Sequence, residues 1–315
     1  MQAMDRSTRA AVRGREALYE GFDYAAFWRE QGRNHLDRLE RRVVAGLLPA
    51  SGRRILDAGC GFGRLVDVYA DRFREVVLLD AAWSLLEQAR DRWAGRATLV
   101  AADLRALPFH AGVFDATVVV RVLHHFEDPS PVLAGLRRVS APGAGLVFSA
   151  SNNRNAKRMM SHLLGRRGPS PFAEGPVQYD SASYGWHPRE LEGLISRAGF
   201  DLRGFRGVGV LDKVAARVGP LGRLVPHGEF LARPLGWTRM APSLFGSAVA
   251  AGAPVADGRA AVGDEEASDA EGALHRDLFR CPACSAAVVK DPGGYRCRRC
   301  ARRYPLRDGI LDFRV

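Results

Sequence analysis

The 315-residue chain has no uninterrupted apolar stretch of about 18 residues, which argues against a membrane-spanning helix. Its opening residues, Met1 to Glu16, are charged and lack the apolar core of a signal peptide. A cytoplasmic location with reduced thiols is expected. Cysteine is scarce: of five, Cys60 stands alone and the other four crowd the C-terminal end. A disulfide framework is therefore disfavoured. Apolar residues make up 47% of the chain, enough for a sizeable core, and the length suggests about two domains. The net charge of +11 permits RNA or anionic-membrane contact, but an arginine-rich composition yields the same figure with no such partner.

What is present begins at residues 54–63, Arg-Ile-Leu-Asp57-Ala-Gly59-Cys60-Gly61-Phe-Gly63. An apolar run ends in an acid, three glycines alternate, and a helical pattern (Leu65, Val66, Tyr69, Ala70, Phe73) follows. The segment reads as strand, tight loop and helix, the first unit of a doubly wound sheet with a ligand at the loop. A dinucleotide fingerprint needs glycine three residues after the second, and Arg64 stands there. Asp57 would also repel a pyrophosphate. Further apolar segments end in acids at Asp80 and Asp103, with Ala81 and Leu104 behind them. A fourth strand, Phe114 to Arg121, leads into His124 and His125, and a fifth spans Leu146 to Ala150. Helix-capping is the alternative for Asp57 and Asp80, disfavoured by acids at two successive strand ends beside a glycine loop, and a space-filling thiol is the favoured reading of Cys60.

This pattern, over roughly Ile55 to Phe205, resembles the Rossmann-like class I S-adenosylmethionine-dependent methyltransferases. The resemblance implies an α/β fold, a doubly wound, mostly parallel seven-stranded sheet. It implies a cofactor site from Asp57, Gly59, Cys60, Gly61, Asp80, Ala81, Asp103, Leu104 and Arg121, with Asp80 on the ribose and Asp103 at the adenine. His124 is the candidate catalytic base, with His187 a further one. The Asn/Asp-Pro-Pro-Tyr/Phe motif of many amino-group methylators is missing; Arg121 to His124 occupies its place. Methyl transfer to oxygen or carbon of a small molecule, of the quinone-precursor or natural-product kind, is the expected reaction.

Cys281-Pro-Ala-Cys284 and Cys297-Arg-Arg-Cys300 form two Cys-x-x-Cys knuckles around a Pro292-Gly293-Gly294 turn. Such spacing makes a tetrahedral thiolate site for structural zinc. The knuckles and the Arg302–Leu311 tail resemble zinc ribbons that accompany methyltransferases, some of them separate activator subunits.

The expected organisation is an N-terminal helical cap (1–50, with an amphipathic helix His35 to Leu48) and a cofactor domain (51–250). A lid-like insertion at about 210–242, an acidic linker (251–273) and a zinc ribbon (274–315) complete it. Asp257 to Leu274 carries a net −5 and the chain from His275 onward +6. A flexible linker of that kind predicts that chelation unfolds the ribbon alone. Phe22, Tyr24, Phe27 and Trp28 cluster before the first strand, and Leu231, Leu235, Trp237 and Met240 offer a possible bilayer contact. RNA methylation with the ribbon as docking module, and a non-catalytic zinc-dependent adaptor, are the competing functions.

Overall fold

A computed structural model describes residues 34–166, 168–180, 183–209, 239–252 and 278–314. The early aromatic cluster, residues 253–273 of the linker and residues 210–238 of the expected insertion lie outside the described residues.

Helix α1 (Asn34–Leu47) leads into β1 (Gly52–Ala58), followed by α2 (Val66–Tyr69), β2 (Phe73–Asp80), α3 (Trp83–Trp93) and β3 (Thr98–Ala101). Then come β4 (Phe114–Val119), α4 (Ser130–Val139), β5 (Ser140–Ser151) and α5 (Ala156–Leu163). A small hairpin, β6 (Val177–Asp180) with β7 (Ser183–Gly185), precedes α6 (Pro188–Arg197), β8 (Phe200–Val208) and β9 (Ser243–Ala250). The ribbon contributes β10 (Val288–Asp291), β11 (Gly294–Cys297), β12 (Arg303–Arg307) and β13 (Ile310–Asp312).

The central order is β3-β2-β1-β4-β5-β9-β8, seven strands. The first five run parallel, and β9 is antiparallel to both β5 and β8. Alternation along each strand divides the core in two. Leu56, Val77, Leu79 and Phe148 face one apolar cluster, whereas Ile55, Val76, Leu78 and Val147 face the other. Both faces are covered, which is why these strands read as near-continuous apolar runs. Helix α1 covers one face with Leu36, Val43 and Val44, a stripe at helical spacing.

Two boundaries differ from expectation. The helix after the glycine loop is four residues long; Phe73 opens β2, registered against Gly52, where a Cβ would lie 2.5 Å from its ring. The fifth strand starts at Ser140, not Leu146, because Ser140 already pairs with Phe114 before a register shift absorbs Pro142 and Gly143.

The ribbon is joined to this sheet. Strands β10 to β13 form an antiparallel meander, and β13 pairs in parallel with β3 through Ile310–Leu99, Leu311–Val100 and Asp312–Ala101. A second seam ties His110 N–H to Leu278 O (3.0 Å) and Arg280 N–H to Pro108 O (2.9 Å). Phe279 stacks on Phe313, which stacks on Tyr304, and Phe279 meets Phe109 of the larger unit at 5.7 Å between centroids. These rings belong to the same buried cluster as Leu56 and Phe148. A shared apolar core and a shared sheet edge link the two units, so we expect them to unfold together rather than the ribbon alone.

Candidate active site at the carboxyl ends of the strands

A cleft of about 510 Å³ opens at the carboxyl ends of β1, β2 and β4, where ligands sit in open α/β sheets. Asp57, Gly59, Cys60, Gly61, Asp80, Ala81, Leu104 and Arg121 all line it. Gly61, at φ +56°, has open space where a Cβ would project, so its backbone can approach a ligand closely. Gly59 answers a packing demand instead: a Cβ there would lie 2.4 Å from Val122.

Asp80 closes β2 and accepts from Gly61 N–H (2.8 Å) and Ala82 N–H (2.9 Å), one bond to each oxygen. Those bonds aim the carboxylate, which can accept at both oxygens, beside the glycine loop. Asp57 is buried and accepts from the Tyr69 hydroxyl at 2.5 Å. Burial pushes its carboxyl up to about 6, against the hydroxyl bond and the Arg64 charge, which pull it down. Burial, then the Asp80 and Asp57 charges, raises the Cys60 thiol well above its ordinary range. A neutral thiol in the loop fills space and is no nucleophile.

Arg64 and Arg121 also line the cleft, and one fully buried carboxylate holds both. Glu40 of α1 accepts from Arg64 Nη2 at 2.8 Å and from Arg121 Nε at 3.0 Å. Arg121 takes the left-handed φ of +61°, rare for a side-chain-bearing residue, and its N–H donates to Ser149 Oγ at 2.8 Å. Tyr69 and Glu40 escaped the sequence reading. The signal for Glu40 was there: it falls in the stripe Leu36, Glu40, Val43, Val44, a charge on the buried face of an amphipathic helix.

Three candidates are placed differently. Asp103 caps the turn Leu104–Ala106 by accepting from Arg105 N–H (2.8 Å) and also binds the Arg105 guanidinium. It is not among the lining residues, although Leu104 and Arg105 are. His124 does not line the cleft either; its neighbour His125 does, with ring centroids 4.0 Å apart. Burial first, then the His125 and Arg121 charges, holds His124 well below the usual histidine range, so it is neutral at physiological pH. His187 is the N-cap of α6 and accepts from Arg189 N–H through Nδ1 (3.3 Å), a structural use of the ring.

In the ribbon, Cys281, Cys284, Cys297 and Cys300 bring their four sulfurs within 4.8 Å of one another. Cys281 and Cys300 are 3.7 Å apart and Cys284 and Cys297 3.4 Å. Zinc–sulfur bonds of about 2.3 Å in a tetrahedron put sulfurs about 3.8 Å apart, so the donor set and spacing fit zinc. The Tyr304 hydroxyl, 2.9 Å from Cys281 Sγ, can donate to a thiolate there.

A family profile described as "Methyltransferase domain" matches residues 56–148. A ubiquinone biosynthesis O-methyltransferase of Hahella chejuensis is 32% identical over 184 residues, 55% of this chain and 71% of that one. A malonyl-[acyl-carrier protein] O-methyltransferase of Salmonella typhimurium is 35% identical over 138 residues, 43% of this chain and 53% of that one. Among solved structures, an S-adenosylmethionine-dependent methyltransferase from Mesorhizobium loti is 22% identical with a TM-score of 0.51, covering 67% of this chain and 97% of that one. A chain in the complex between the Haloferax volcanii Trm112 methyltransferase activator and its methyltransferase is 17% identical with a TM-score of 0.52, covering 72% and 95%. Those two structures speak for the fold alone. The chain belongs to the class I S-adenosylmethionine-dependent methyltransferases. It spans about half to two thirds of the length of the first curated relatives it matches. Among the described residues no helix is long and apolar enough to cross a membrane.

Proposed function

We propose that this chain transfers a methyl group from S-adenosylmethionine to oxygen or carbon of a small-molecule acceptor. The observation that carries the reading is Asp80, held by two backbone N–H groups beside the open face of Gly61. The carboxylate would accept from the ribose hydroxyls, and Gly61 would let the backbone lie against the cofactor. Asp57 would attract the cationic amino end, and Arg64 and Arg121, gripped by Glu40, would face its carboxylate. When bound, the cofactor supplies a methyl group made electrophilic by its sulfonium.

The protein's own part is to exclude water, align the acceptor and take a proton where the acceptor carries one. His125 lines the cleft and is the group placed to receive that proton; His124, neutral beside it, keeps a second positive charge away. His124 thus acts as a positioning residue in this proposal, and the base passes to its neighbour. The curated relatives named as O-methyltransferases support oxygen as the acceptor atom.

Titration calorimetry with S-adenosylmethionine tests the reading. Saturable heat on the wild type that weakens in Asp80→Ala supports it, and equal binding by both removes Asp80 from the site. A zinc-dependent adaptor would show no such heat.

One observation favours RNA docking as a second function of the ribbon: Arg296, Arg298, Arg299, Arg302 and Arg303 are all exposed around the metal knuckle. Because the ribbon shares the core, point changes are the cleaner test than deletion. Combined Arg298→Ser, Arg299→Ser and Arg302→Ser should abolish RNA retention in a filter assay while leaving cofactor heats intact; RNA retention in the triple variant dismisses the idea.

A further inference from the structure

A second cleft, of about 770 Å³, opens one strand further along the same sheet edge. Ser151 and Asn152 at the end of β5 form its floor, α5 and the following turn one wall, and Val208, Met240 and Pro242 the other. Its charge is one-sided. Lys157, Arg158, Arg166 and His162 line it, and among the described residues no Asp or Glu does. Arg158 is oriented on two sides: Nη1 donates to Asn153 Oδ1 at 2.7 Å, and its guanidinium lies 4.2 Å from the centre of the Tyr179 ring. Among the described residues neither Arg158 nor Arg166 meets a carboxylate. Elsewhere Arg54 pairs with Glu75, and Arg64 and Arg121 with Glu40, whereas Arg72 and Arg138 donate to backbone carbonyls. Two guanidinium groups lining one concave surface, with no acid there among the described residues, suit the planar geometry of a phosphate or carboxylate. The concave wall focuses their field.

We infer that this cleft binds an anionic group, a phosphate or carboxylate, carried by the methyl acceptor, with Arg158 and Arg166 as its ion-pairing residues. The inference rests on the first cleft being the cofactor site. The Arg121 N–H to Ser149 Oγ bond links the end of β4, at the first cleft, to β5, whose last residue Ser151 lines the second. On this inference an acceptor presents its nucleophile near His125 and its charged substituent to Arg158. The anion has two possible sources. Met160, Leu163, Leu164 and Phe172 are exposed on the same segment, so a lipid headgroup is one; a freely diffusing phosphorylated or carboxylated metabolite is the other.

The experiment uses the full-length zinc-loaded chain and inorganic pyrophosphate as probe, with S-adenosylmethionine titrated separately. Pyrophosphate should bind saturably. Arg166→Glu, at an exposed position that leaves the fold intact, and Arg158→Gln should each weaken it about tenfold or more, the worth of one charged hydrogen bond. Cofactor affinity should stay within about twofold in both. Absent pyrophosphate binding, or binding indifferent to Arg166→Glu, overturns the site. Intact pyrophosphate binding with no cofactor heat overturns the methyltransferase reading and leaves the anion site standing. Co-sedimentation with phosphatidylcholine vesicles, with and without phosphatidylglycerol, separates the sources. Arg166-dependent sedimentation with the anionic vesicles identifies a headgroup, and pyrophosphate binding without sedimentation identifies a free metabolite.

Discussion

Two clefts share one sheet edge and differ in electrical character. In the first, Asp57 and Asp80 meet Arg64 and Arg121, and the two arginines are shared by a buried glutamate. In the second, Arg158 and Arg166 line the wall, and among the described residues no acid does. The mixed site suits a zwitterion, with a cationic amine, a carboxylate and a diol to place. The one-sided site suits an anion. Both stand at strand ends for the same reason: there the ladder stops, and side chains and N–H groups meet a ligand in place of a neighbouring strand.

The largest expected effect comes from the metal, and it would separate the clefts. The ribbon joins the sheet at β3, next to Leu104 and Arg105 of the first cleft and several strands from the second. Structural zinc contributes on the order of 10 kcal/mol to a small fold. Chelation, or Cys281→Ser, should therefore lower the main thermal transition and weaken cofactor binding more than pyrophosphate binding. Calorimetric scans showing the main transition unmoved after chelation would contradict the shared core.

Glu40→Gln comes next. It leaves Arg64 and Arg121 without their common partner, and breaking a buried ion pair costs about 3–5 kcal/mol. Denaturant melts should show that loss, with cofactor affinity down and pyrophosphate affinity unchanged.

Asp57 gives a pH test. Its carboxyl rises from 3.8 to about 6 on folding. A group raised in the folded state contributes stability below its unfolded value and loses that contribution as pH climbs through the folded one. Ionised Asp57 therefore costs the empty protein up to about 3 kcal/mol at neutral pH. Asp57→Asn should be the more stable protein at pH 7 and lose the advantage at about pH 4, as urea titrations would record. Cofactor affinity should fall as pH drops below about 6 in the wild type and stay flat in the variant. A wild-type profile with no such fall removes Asp57 from the cofactor's surroundings.

Asp80→Ala is the smallest change, about 1–3 kcal/mol of cofactor affinity, because it deletes one charged acceptor. Pyrophosphate binding should be untouched.

Much of the first cleft was legible because its parts lie close in sequence. A glycine loop after an acid-terminated strand is a local pattern, and so is an acid closing the next strand. Glu40 was legible only as an oddity on a helix face, since what it binds is 24 and 81 residues away. That His125 rather than His124 lines the cleft follows from one tight turn, Leu123–His125, whose sense no pattern of residues declares. The basic cleft escaped notice altogether. Arg158 and Arg166 look like ordinary surface charge until β5, β8 and β9 gather around them.

The cysteine knuckles and the strand-loop-acid repeats determined on their own that there would be a metal ribbon and a cofactor sheet, because each is a short-range arrangement with one chemical use. Tertiary structure alone decided that the ribbon and sheet form one body. Whether Ile310 lies beside Leu99 is a matter of pairing between segments some two hundred residues apart. Backbone hydrogen bonds carry no side-chain signature of their partner, and aromatic burial such as that of Phe279 against Phe109 is indifferent to sequence distance.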